Sequence, residues 1–439
     1  MKSMLALIHD YRPQAPLLWL EGAPVSQAAF LAAARQLASE LPDAAREVLP
    51  LAANRAGFML AFAAALLRNK PCLLPPAGHP AALASLRAAH PSAMVLSDQP
   101  AQCTAPGDHC LRLAFDLPDW TGPVPELPAT QLAAIAYTSG STGAPQPNAK
   151  TWAMLIATAR LAMDRFGQGL HIAATVPAQH MYGLETTVMM ALAGGGIADA
   201  GQPFFPQDVR ATLEALPAPR MLVTTPVHLR ALVAAAPALP ELKLLLSATA
   251  PLPLALAQDA EARFNAPLFE IYGCTEAGSI ATRRPVADPR WRLYPELKLE
   301  TLAAGSFLHA DYLPDPVPLA DEVECLDGEH FRLLGRSAEL IKVAGKRIAL
   351  AELTQTLLGI AGVEDGVVLL PEADEATAVN QRPAALVVAP GLSEAQLLAA
   401  LAARLDPVFL PRPLKKVAAL PRNAVGKLPR AALLELLHG

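Results

Sequence analysis

Short apolar runs alternate with longer amphipathic segments along the first part of the chain. Leu17–Leu20 predicts a strand, and Ser26–Leu41 predicts a helix with Ser26 at its N-cap. A second helix is predicted over Asn54–Arg68, between two further apolar runs. This alternation is typical of βαβ units, in which helices cover both faces of a mostly parallel sheet.

The alternation resumes after a polar, proline-rich passage from 97 to 130. A helix is predicted over Thr151–Arg165. Strands are predicted at Leu132–Tyr137, Ala173–Val176, Met221–Thr224, Leu242–Leu246 and Pro267–Ile271. The last two strands lead into the turns Ser247–Leu252 and Tyr272–Glu276. Because open α/β sheets bind ligands at the carboxyl ends of neighbouring strands, we expect a site where these turns meet.

The pattern changes near the C-terminal end. From about 293 to 335, shorter strands and the hairpin signal Asp327-Gly328 predict a small β-rich subdomain. A separate strand and helix pattern begins near Gly335-Arg336. The sequence therefore predicts an α/β protein with a large N-terminal domain (1–335) of mostly parallel sheets and flanking helices. A small α+β domain (336–439) follows.

Composition narrows the class of protein. With 439 residues, 53% hydrophobic and 17% charged, the chain is long and apolar enough to fold as two or three domains. A net charge of −5 argues against a nucleic-acid partner. Five scattered cysteines without CxxC spacing favour a reducing compartment and no zinc site. No apolar stretch is long enough for a membrane span or a signal peptide, so we expect a cytoplasmic protein.

One loop stands out for its small and hydroxyl-bearing residues: Thr138, Ser139, Gly140, Ser141, Thr142 and Gly143. Glycine lets backbone N–H groups approach a ligand, and short hydroxyls add donors, so this composition suits a phosphate. The loop lies between a predicted strand and a predicted helix, and we expect it near the helix N-terminus, where anions are favoured. The alternative is a Ser/Gly-rich surface turn. No Gly-Lys-Ser/Thr closes the loop, so it is not a Walker A motif.

Several separated motifs together resemble the adenylate-forming superfamily of acyl-CoA synthetases, aryl-acid ligases and nonribosomal adenylation domains. The similarity extends from about Ala133 to Arg430 and includes the loop 138–143, Tyr272-Gly273-Cys274-Thr275-Glu276 and Gly426-Lys427. The resemblance implies ATP and Mg²⁺ as cofactors and a small carboxylic acid as substrate. It also implies a thiol acceptor, either CoA or the phosphopantetheine of an acyl carrier protein.

The resemblance also implies roles for single residues on the nucleotide side. The loop would wrap the β- and γ-phosphates, Tyr272 and Gly273 would border adenine, and Thr275 would donate to the α-phosphate. Glu276 would help to hold Mg²⁺, whose hard charge prefers oxygen ligands. The small-residue turn with Ala248, Thr249 and Ala250 would let adenine approach the backbone closely, Asp321 would bind the ribose hydroxyls, and Arg336 would contact the nucleotide. Asp321 and Arg336 are fifteen residues apart across the Asp327-Gly328 hairpin, so both could return to one site.

Two further segments carry the acid side of the resemblance. His180-Met181-Tyr182-Gly183 matches the segment that holds the family's carboxylate-side His or aromatic residue, and His180 and Tyr182 favour a flat or medium-sized acid. The acid is expected to be aromatic, for example of the hydroxybenzoate or cinnamate type. Lys427 would reach the carboxylate and the α-phosphate during adenylation. A cation there is chemically reasonable, because attack of one anion on another raises local negative charge.

The chain departs from the family pattern at three places. Gln146 stands where a lysine is usual, and we expect Lys150 to supply the missing charge; the alternative is a solvated lysine. Leu319-Ala320 replaces a Thr-Gly pair before Asp321. Ala338 stands where the pivot aspartate of the mobile domain is common, so the hinge is unassigned.

Three functions remain open at this point. Compact stand-alone members resemble ligases of bacterial aryl-polyene pigment pathways, which load an aromatic acid onto an acyl carrier protein. Residues 408–430 contain six Lys or Arg and no acid, which suits an acidic carrier, so this function is preferred. A CoA ligase comes close behind. A non-catalytic nucleotide-binding homologue is the third possibility, and the departures from the family pattern at Gln146 and Ala338 would be signs of it.

Overall fold

The computed structural model describes residues 3–75, 80–105, 107–139, 145–302, 305–336, 340–343, 346–371, 382–423, 426 and 428–439. In the first third the elements are β1 (Met4–Ala6), β2 (Pro16–Leu20), β3 (Ala23–Ser26), α1 (Gln27–Glu40), β4 (Glu47–Pro50), α2 (Arg55–Leu67), β5 (Cys72–Leu74), α3 (Pro80–Ala89), β6 (Ala93–Ser97), β7 (His109–Cys110), β8 (Glu126–Pro128), β9 (Leu132–Ser139) and β10 (Pro145–Thr151).

Capping residues define where the early helices begin. The Ser26 Oγ accepts a hydrogen bond from the Ala29 N–H at 3.0 Å, and the Asn54 side chain accepts one from the Gly57 N–H at 2.9 Å. Both bonds satisfy backbone donors that the first helical turn leaves unpaired. The predicted starts of α1 and α2 are therefore confirmed.

The middle of the chain supplies most of a second, larger sheet. Its elements are α4 (Trp152–Phe166), β11 (His171–Ala174), α5 (Met181–Gly183), a π-helical segment (Leu184–Met189), α6 (Met190–Gly194), β12 (Ile197–Asp199), α7 (Pro206–Ala215), β13 (Arg220–Thr224), α8 (Pro226–Ala235), β14 (Leu244–Ser247), α9 (Leu254–Phe264), β15 (Leu268–Cys274), β16 (Gly278–Arg283), β17 (Trp291–Leu293), β18 (Lys298–Leu302), β19 (Gly305–His309), β20 (Val317–Pro318), β21 (Asp321–Cys325) and β22 (His330–Arg336).

The C-terminal part is smaller and forms its own sheets. Its elements are β23 (Leu340–Val343), β24 (Lys346–Ala349), α10 (Leu350–Leu358), β25 (Asp365–Leu369), β26 (Ala384–Val388), α11 (Glu394–Ala402), β27 (Leu414–Lys416) and α12 (Arg430–His438). Strands β23 and β24 pair with each other, and β25, β26 and β27 form a three-stranded sheet.

Two large sheets organise the rest of the molecule. The first has the order β10-β9-β5-β4-β6-β7, in which all neighbours are parallel except β9 and β10. The second has the order β21-β22-β17-β16-β15-β14-β13-β11-β12-β2-β3, with a parallel centre and antiparallel ends. Helix α2 contacts strands of both sheets and is buried along most of its length. The predicted α/β fold is confirmed.

The strands between 290 and 336 are divided between two sheets. Strands β17, β21 and β22 extend the large sheet, whereas β18, β19 and β20 form a separate three-stranded sheet. Local patterns predict strands in this region but carry little information about which sheet each strand joins. The domain limits at 293 and 335 remain predictions.

The position predicted for the 138–143 loop is wrong in one respect. Strand β10 separates this region from α4, and it pairs antiparallel with β9 so that Pro145 lies opposite Ser139. The N-terminus of α4 therefore does not follow the predicted loop directly but lies beyond the seven-residue strand that begins at Pro145, about 23 Å along the chain.

A buried arginine joins α2 to the larger sheet. Arg55 is only 2% exposed and makes five hydrogen bonds, four of them to the backbone carbonyls of Ala174, Val176, Asp199 and Gly201. Its Nε donates the fifth, to the Thr187 hydroxyl at 3.1 Å. Burial lowers the pKa of the guanidinium to about 10, so it stays charged at neutral pH. Among the described residues, no helix combines the length and the apolar character needed to cross a membrane.

Candidate active site

The candidate site lies at the carboxyl ends of β13, β14 and β15. These strands are adjacent and parallel, and Thr224, Ser247 and Glu270 lie side by side in the register. The turns that follow the three strands therefore leave the sheet at the same edge. This is the arrangement expected from the sequence for the turns Ser247–Leu252 and Tyr272–Glu276.

Two predicted nucleotide residues contact each other directly. The Tyr272 hydroxyl donates to Asp321 Oδ2 at 2.8 Å. The Tyr272 ring is held by Trp291 and Phe331, whose centroids lie 5.7 and 5.8 Å away. Asp321 lies opposite Arg336 in the β21–β22 hairpin, as predicted from their spacing. Tyr272 and Asp321 thus form one rigid wall beside the end of β15.

Removing the Tyr272 hydroxyl should weaken ATP binding without unfolding the protein. In Tyr272→Phe the ring keeps its packing, but Asp321 loses a hydrogen bond that fixes its carboxylate, a bond worth about 1 kcal/mol. We expect the KM for ATP to rise about fivefold, with little change in kcat, in a pyrophosphate-exchange assay. An unchanged KM would show that Asp321 does not need this support.

The predicted acid-side segment begins at His180, the N-cap of the short helix α5. The Tyr182 hydroxyl is hydrogen-bonded to the carbonyls of Thr224 at 3.1 Å and Leu246 at 3.0 Å. Burial raises the pKa of this phenol well above its usual range, so it stays neutral. Tyr182 therefore fastens the segment to the ends of β13 and β14. The roles of His180 and Met181 toward an acid remain predictions.

Gly183 owes its identity to a close backbone approach. A Cβ at this position would lie 2.0 Å from the Pro177 carbonyl oxygen, so no larger residue fits without a shift of the main chain. The close approach brings α5 against the segment that follows β11. Gly183 thereby shapes the acid-side segment through its backbone.

Part of the C-terminal motif reaches the same edge. A Cβ placed on Gly426 would lie 3.7 Å from Thr225 Oγ1 and 4.0 Å from Thr249 Oγ1. Thr249 itself has a φ of 78°, a left-handed conformation that is uncommon outside glycine and often found at functional sites. Gly426 therefore lies against the turn that was predicted to border adenine.

Arg422 holds Gly426 in this position. Its Nη1 donates to the Gly426 carbonyl at 2.7 Å, and its Nε and Nη2 bind the two carboxylate oxygens of Asp365 at 2.9 and 2.7 Å. Asp365 also lies 3.8 Å from Arg230 of α8. The contact thus connects the C-terminal sheet, the Gly-Lys motif and the helix after β13.

Several predicted residues lie outside the described part of the chain. These are Gly140, Ser141, Thr142, Gly143 and Lys427. For Ser139 and Arg336 only the backbone is described, at the ends of β9 and β22. Thr138 lies in β9 opposite Gln146 of β10.

Lys150 and its surroundings are the least expected part of the site. Lys150 is 2% exposed, and its Nζ donates to the Glu276 carbonyl at 2.5 Å. It is therefore not a solvated lysine. Nearby, Glu185 is also buried and accepts hydrogen bonds from the Ser279 N–H at 3.0 Å and the Ser279 hydroxyl at 2.6 Å.

Burial shifts the pKa of both Lys150 and Glu185. Burial lowers the pKa of Lys150, against the opposing effects of Glu185, Cys274 and Glu276. Burial raises the pKa of Glu185, although Ser279 and Lys150 favour the carboxylate. Glu185 has no role predicted from the sequence. A single acid in the otherwise uncharged helical run Leu184–Leu192 was the available signal.

The residues present fit a magnesium ion held mainly by substrate. Within the described ranges, no group of three or more His, Cys, Asp or Glu side chains could hold a metal ion. Glu276 is exposed at the turn after β15 and offers a single carboxylate. Mg²⁺ typically uses one or two protein carboxylates together with substrate phosphates, so Glu276 alone is sufficient on the protein side.

The chain is similar in sequence to known enzymes. Residues 22–299 match the family model described as AMP-binding enzyme. The chain is 30% identical over 308 residues to a 4-coumarate–CoA ligase from Rhodobacter capsulatus, a match that covers 67% of this chain and 74% of that protein.

Solved structures show the same fold over nearly the whole chain. ATP-bound MatB from Rhodopseudomonas palustris superposes with a TM-score of 0.81 at 19% identity, covering 98% of this chain and 96% of that one. The o-succinylbenzoate CoA synthetase from Bacillus subtilis in complex with AMP superposes with a TM-score of 0.78 at 20% identity, covering 95% of each chain. The chain therefore belongs to the family of AMP-binding enzymes, with the adenylate-forming fold that its motifs predicted.

Proposed function

We propose that this enzyme activates a small carboxylic acid with ATP and transfers the acyl group to the thiol of CoA. The observation that carries the proposal is the meeting of three motifs at one sheet edge. Tyr272 is bonded to Asp321, Glu276 is exposed in the turn that follows the strand of Tyr272, and Gly426 lies against Thr249. ATP and Mg²⁺ would bind at this edge.

The chemistry has two balanced steps. A carboxylate oxygen of the acid attacks the α-phosphorus of ATP, and the bond to pyrophosphate breaks. A thiol sulfur then attacks the acyl carbon, loses its proton and displaces AMP. Lys427 and the Thr275 hydroxyl would stabilise the charge that accumulates around the α-phosphate in the first step. Mg²⁺ held by Glu276 supplies charge neutralisation at the phosphates when it is bound.

The acid is proposed to be aromatic, of the hydroxybenzoate or cinnamate type. The residues His180 and Tyr182 in the segment 180–183 support this choice, and so does the similarity to a 4-coumarate–CoA ligase. Tyr182 is bonded to two backbone carbonyls. His180 and Met181 are the proposed contacts with the acid.

The acyl acceptor proposed here, CoA, differs from the acyl carrier protein that the sequence favoured. Most of the curated relatives carry the names of CoA ligases, including a probable 2-succinylbenzoate–CoA ligase from Mycobacterium tuberculosis that is 29% identical over 334 residues, whereas one is tyrocidine synthase 3 from Brevibacillus parabrevis. CoA therefore takes precedence over an acyl carrier protein. The basic run 408–430 still favours a carrier of the aryl-polyene type as the second candidate, although Arg422 in that run is engaged by Asp365.

ATP–pyrophosphate exchange across benzoic, cinnamic and fatty acids tests the proposal. We expect exchange with at least one aromatic acid, followed by thioester formation when CoA is added. Thioester formation on a phosphopantetheinylated carrier but not on CoA would favour the second candidate. Absence of exchange with every acid would instead support a non-catalytic nucleotide-binding protein.

The proposed setting is the cytoplasm. None of the five cysteines, all of which are described, forms a disulfide, and this agrees with a reducing compartment.

A further inference from the structure

We propose that Lys150 is a positioning residue that fixes the Thr275-Glu276 turn from beneath, and that it does so without contacting the phosphates of ATP. The inference deepens the proposed function and rests on the assignment of Glu276 to magnesium. It replaces the expectation that Lys150 supplies the charge that Gln146 lacks.

The direct contact defines the role. The Lys150 Nζ donates to the backbone carbonyl of Glu276, not to its carboxylate. A bond to the main chain fixes where the turn lies and leaves the Glu276 carboxylate exposed for a ligand. The lysine is almost completely buried, so it approaches the turn from the protein interior.

The contact joins segments that are distant in sequence. Lys150 lies on β10, which begins directly after the loop 138–143, whereas Glu276 lies between β15 and β16. These strands belong to different sheets. Lys150 therefore links β10, at the edge of the six-stranded sheet, to the turn that carries the predicted metal ligand.

Glu185 provides the opposing charge. It is the buried carboxylate with the largest favourable effect on the Lys150 ammonium, and its own position is fixed by Ser279 at the start of β16. The other titratable groups around Lys150 are the Cys274 thiol and Glu276. Beyond Glu185 lie the neutral phenols of Tyr294 and Tyr312, whose hydroxyls have no partner among the described residues.

A glycine at the start of β16 allows this arrangement. Gly278 has a φ of +83°, and a Cβ there would lie 2.3 Å from Glu185 Oε1. Glu185 thus packs directly under the turn that carries Thr275 and Glu276. Lys150 and Glu185 support the turn from two sides.

The variant Lys150→Met distinguishes a positioning role of this lysine from direct binding of phosphate. In EDTA we expect the Kd for ATP to rise no more than about fivefold, because Lys150 itself touches no phosphate and displacement of the turn weakens only the single α-phosphate bond assigned to Thr275. The increase in ATP affinity caused by Mg²⁺ should fall about tenfold, and kcat for pyrophosphate exchange should fall about a hundredfold, because a small displacement of the turn is costly. Equilibrium titration with ATP, with and without Mg²⁺, measures the first two quantities.

Lys70→Met is the matched control. Lys70 is 6% exposed and also donates to backbone carbonyls, those of Asp43 and Ala45, but it lies at the end of α2. Its loss should lower the melting temperature without changing the effect of Mg²⁺ on ATP binding. Equal effects in both variants would reduce Lys150 to a general stabilising residue and overturn the proposal.

Two other results would also overturn it. A tenfold or larger loss of ATP affinity in EDTA would mean that Lys150 binds phosphate directly. If Lys150→Met does not fold, Glu185→Gln decides the question, since it removes the opposing charge while keeping a hydrogen-bond acceptor for Ser279. A wild-type magnesium effect in that variant would then contradict the proposal. ATP binding is measured without an acid, so these outcomes stand even if no acid supports exchange.

Discussion

Lys427→Ala should reduce adenylation by about 10²–10³-fold, the usual cost of removing one group that stabilises charge in a transition state. The carboxylate and the α-phosphate are both anions, and a point cation between them acts mainly when the new bond forms. The described neighbour Gly426 lies against Thr225 and Thr249 at the candidate site, which supports this assignment. Pyrophosphate exchange with the preferred acid measures the loss.

The same variant should largely retain the second step. Transfer from preformed acyl-AMP to CoA involves no attack on phosphorus, so its rate is expected to stay within about threefold of the wild type. Lys298→Ala, at an exposed position on β18, is the control and should leave both steps unchanged. Intact adenylation in Lys427→Ala would remove the role assigned to this lysine.

Arg55→Met should destabilise the protein by about 3–5 kcal/mol, the range seen when one partner of a buried charged network is removed. Methionine fills much of the space but donates nothing, so four buried carbonyls and the Thr187 hydroxyl lose their donor. These groups join α2 to β11 and β12, and their loss loosens the contact between the helix and the larger sheet. A urea titration followed by circular dichroism measures the change.

Arg68→Met provides the comparison within the same region. Arg68 lies just after α2 and donates to the Ala38 carbonyl at 2.9 Å and to the exposed carboxylate of Asp43. Because this site is partly exposed, we expect a loss of about 1 kcal/mol or less. Similar losses at both positions would show that the buried network around Arg55 is not the cause.

Helix positions could be predicted closely because their signals are local. Ser26, Asn54 and Thr151 each cap the helix that follows, and each bond joins residues three apart in sequence. The helix predicted over Asn54–Arg68 differs from the observed α2, Arg55–Leu67, by one residue at each end. Such bonds depend only on nearby residue types, which a sequence displays directly.

Strand β10 was missed because its sequence does not look like a strand. It contains Pro145 and Pro147 and is largely polar, which argues against a central strand. The structure places it at the edge of the six-stranded sheet, where proline is tolerated because one side needs no donors. An edge position depends on the order of strands, and local patterns do not reveal that order.

Within the candidate site, too, local motifs could be predicted from the sequence and contacts between distant residues could not. The motifs that contain Tyr272, Glu276 and Asp321 could be found from the sequence, because the resemblance rests on contiguous residues. The contacts beneath them could not. Lys150, Glu185 and Ser279 are separated by many residues and meet only through the packing of three elements. Nothing in a one-dimensional pattern distinguishes a buried lysine from a solvated one.

The register between β9 and β10 constrains the number of residues that connect these two strands. Residues 140–144 connect Ser139 to Pro145, which are opposite each other in the register, and the same register places Lys150 opposite Ala134. Side chains alternate between the two faces of a strand, so a shift by one residue would turn position 150 away from the interior. Substitutions within residues 140–144 are therefore compatible with the buried lysine. An insertion or deletion of one residue would shift the register of β10 unless the connection absorbs it by bulging.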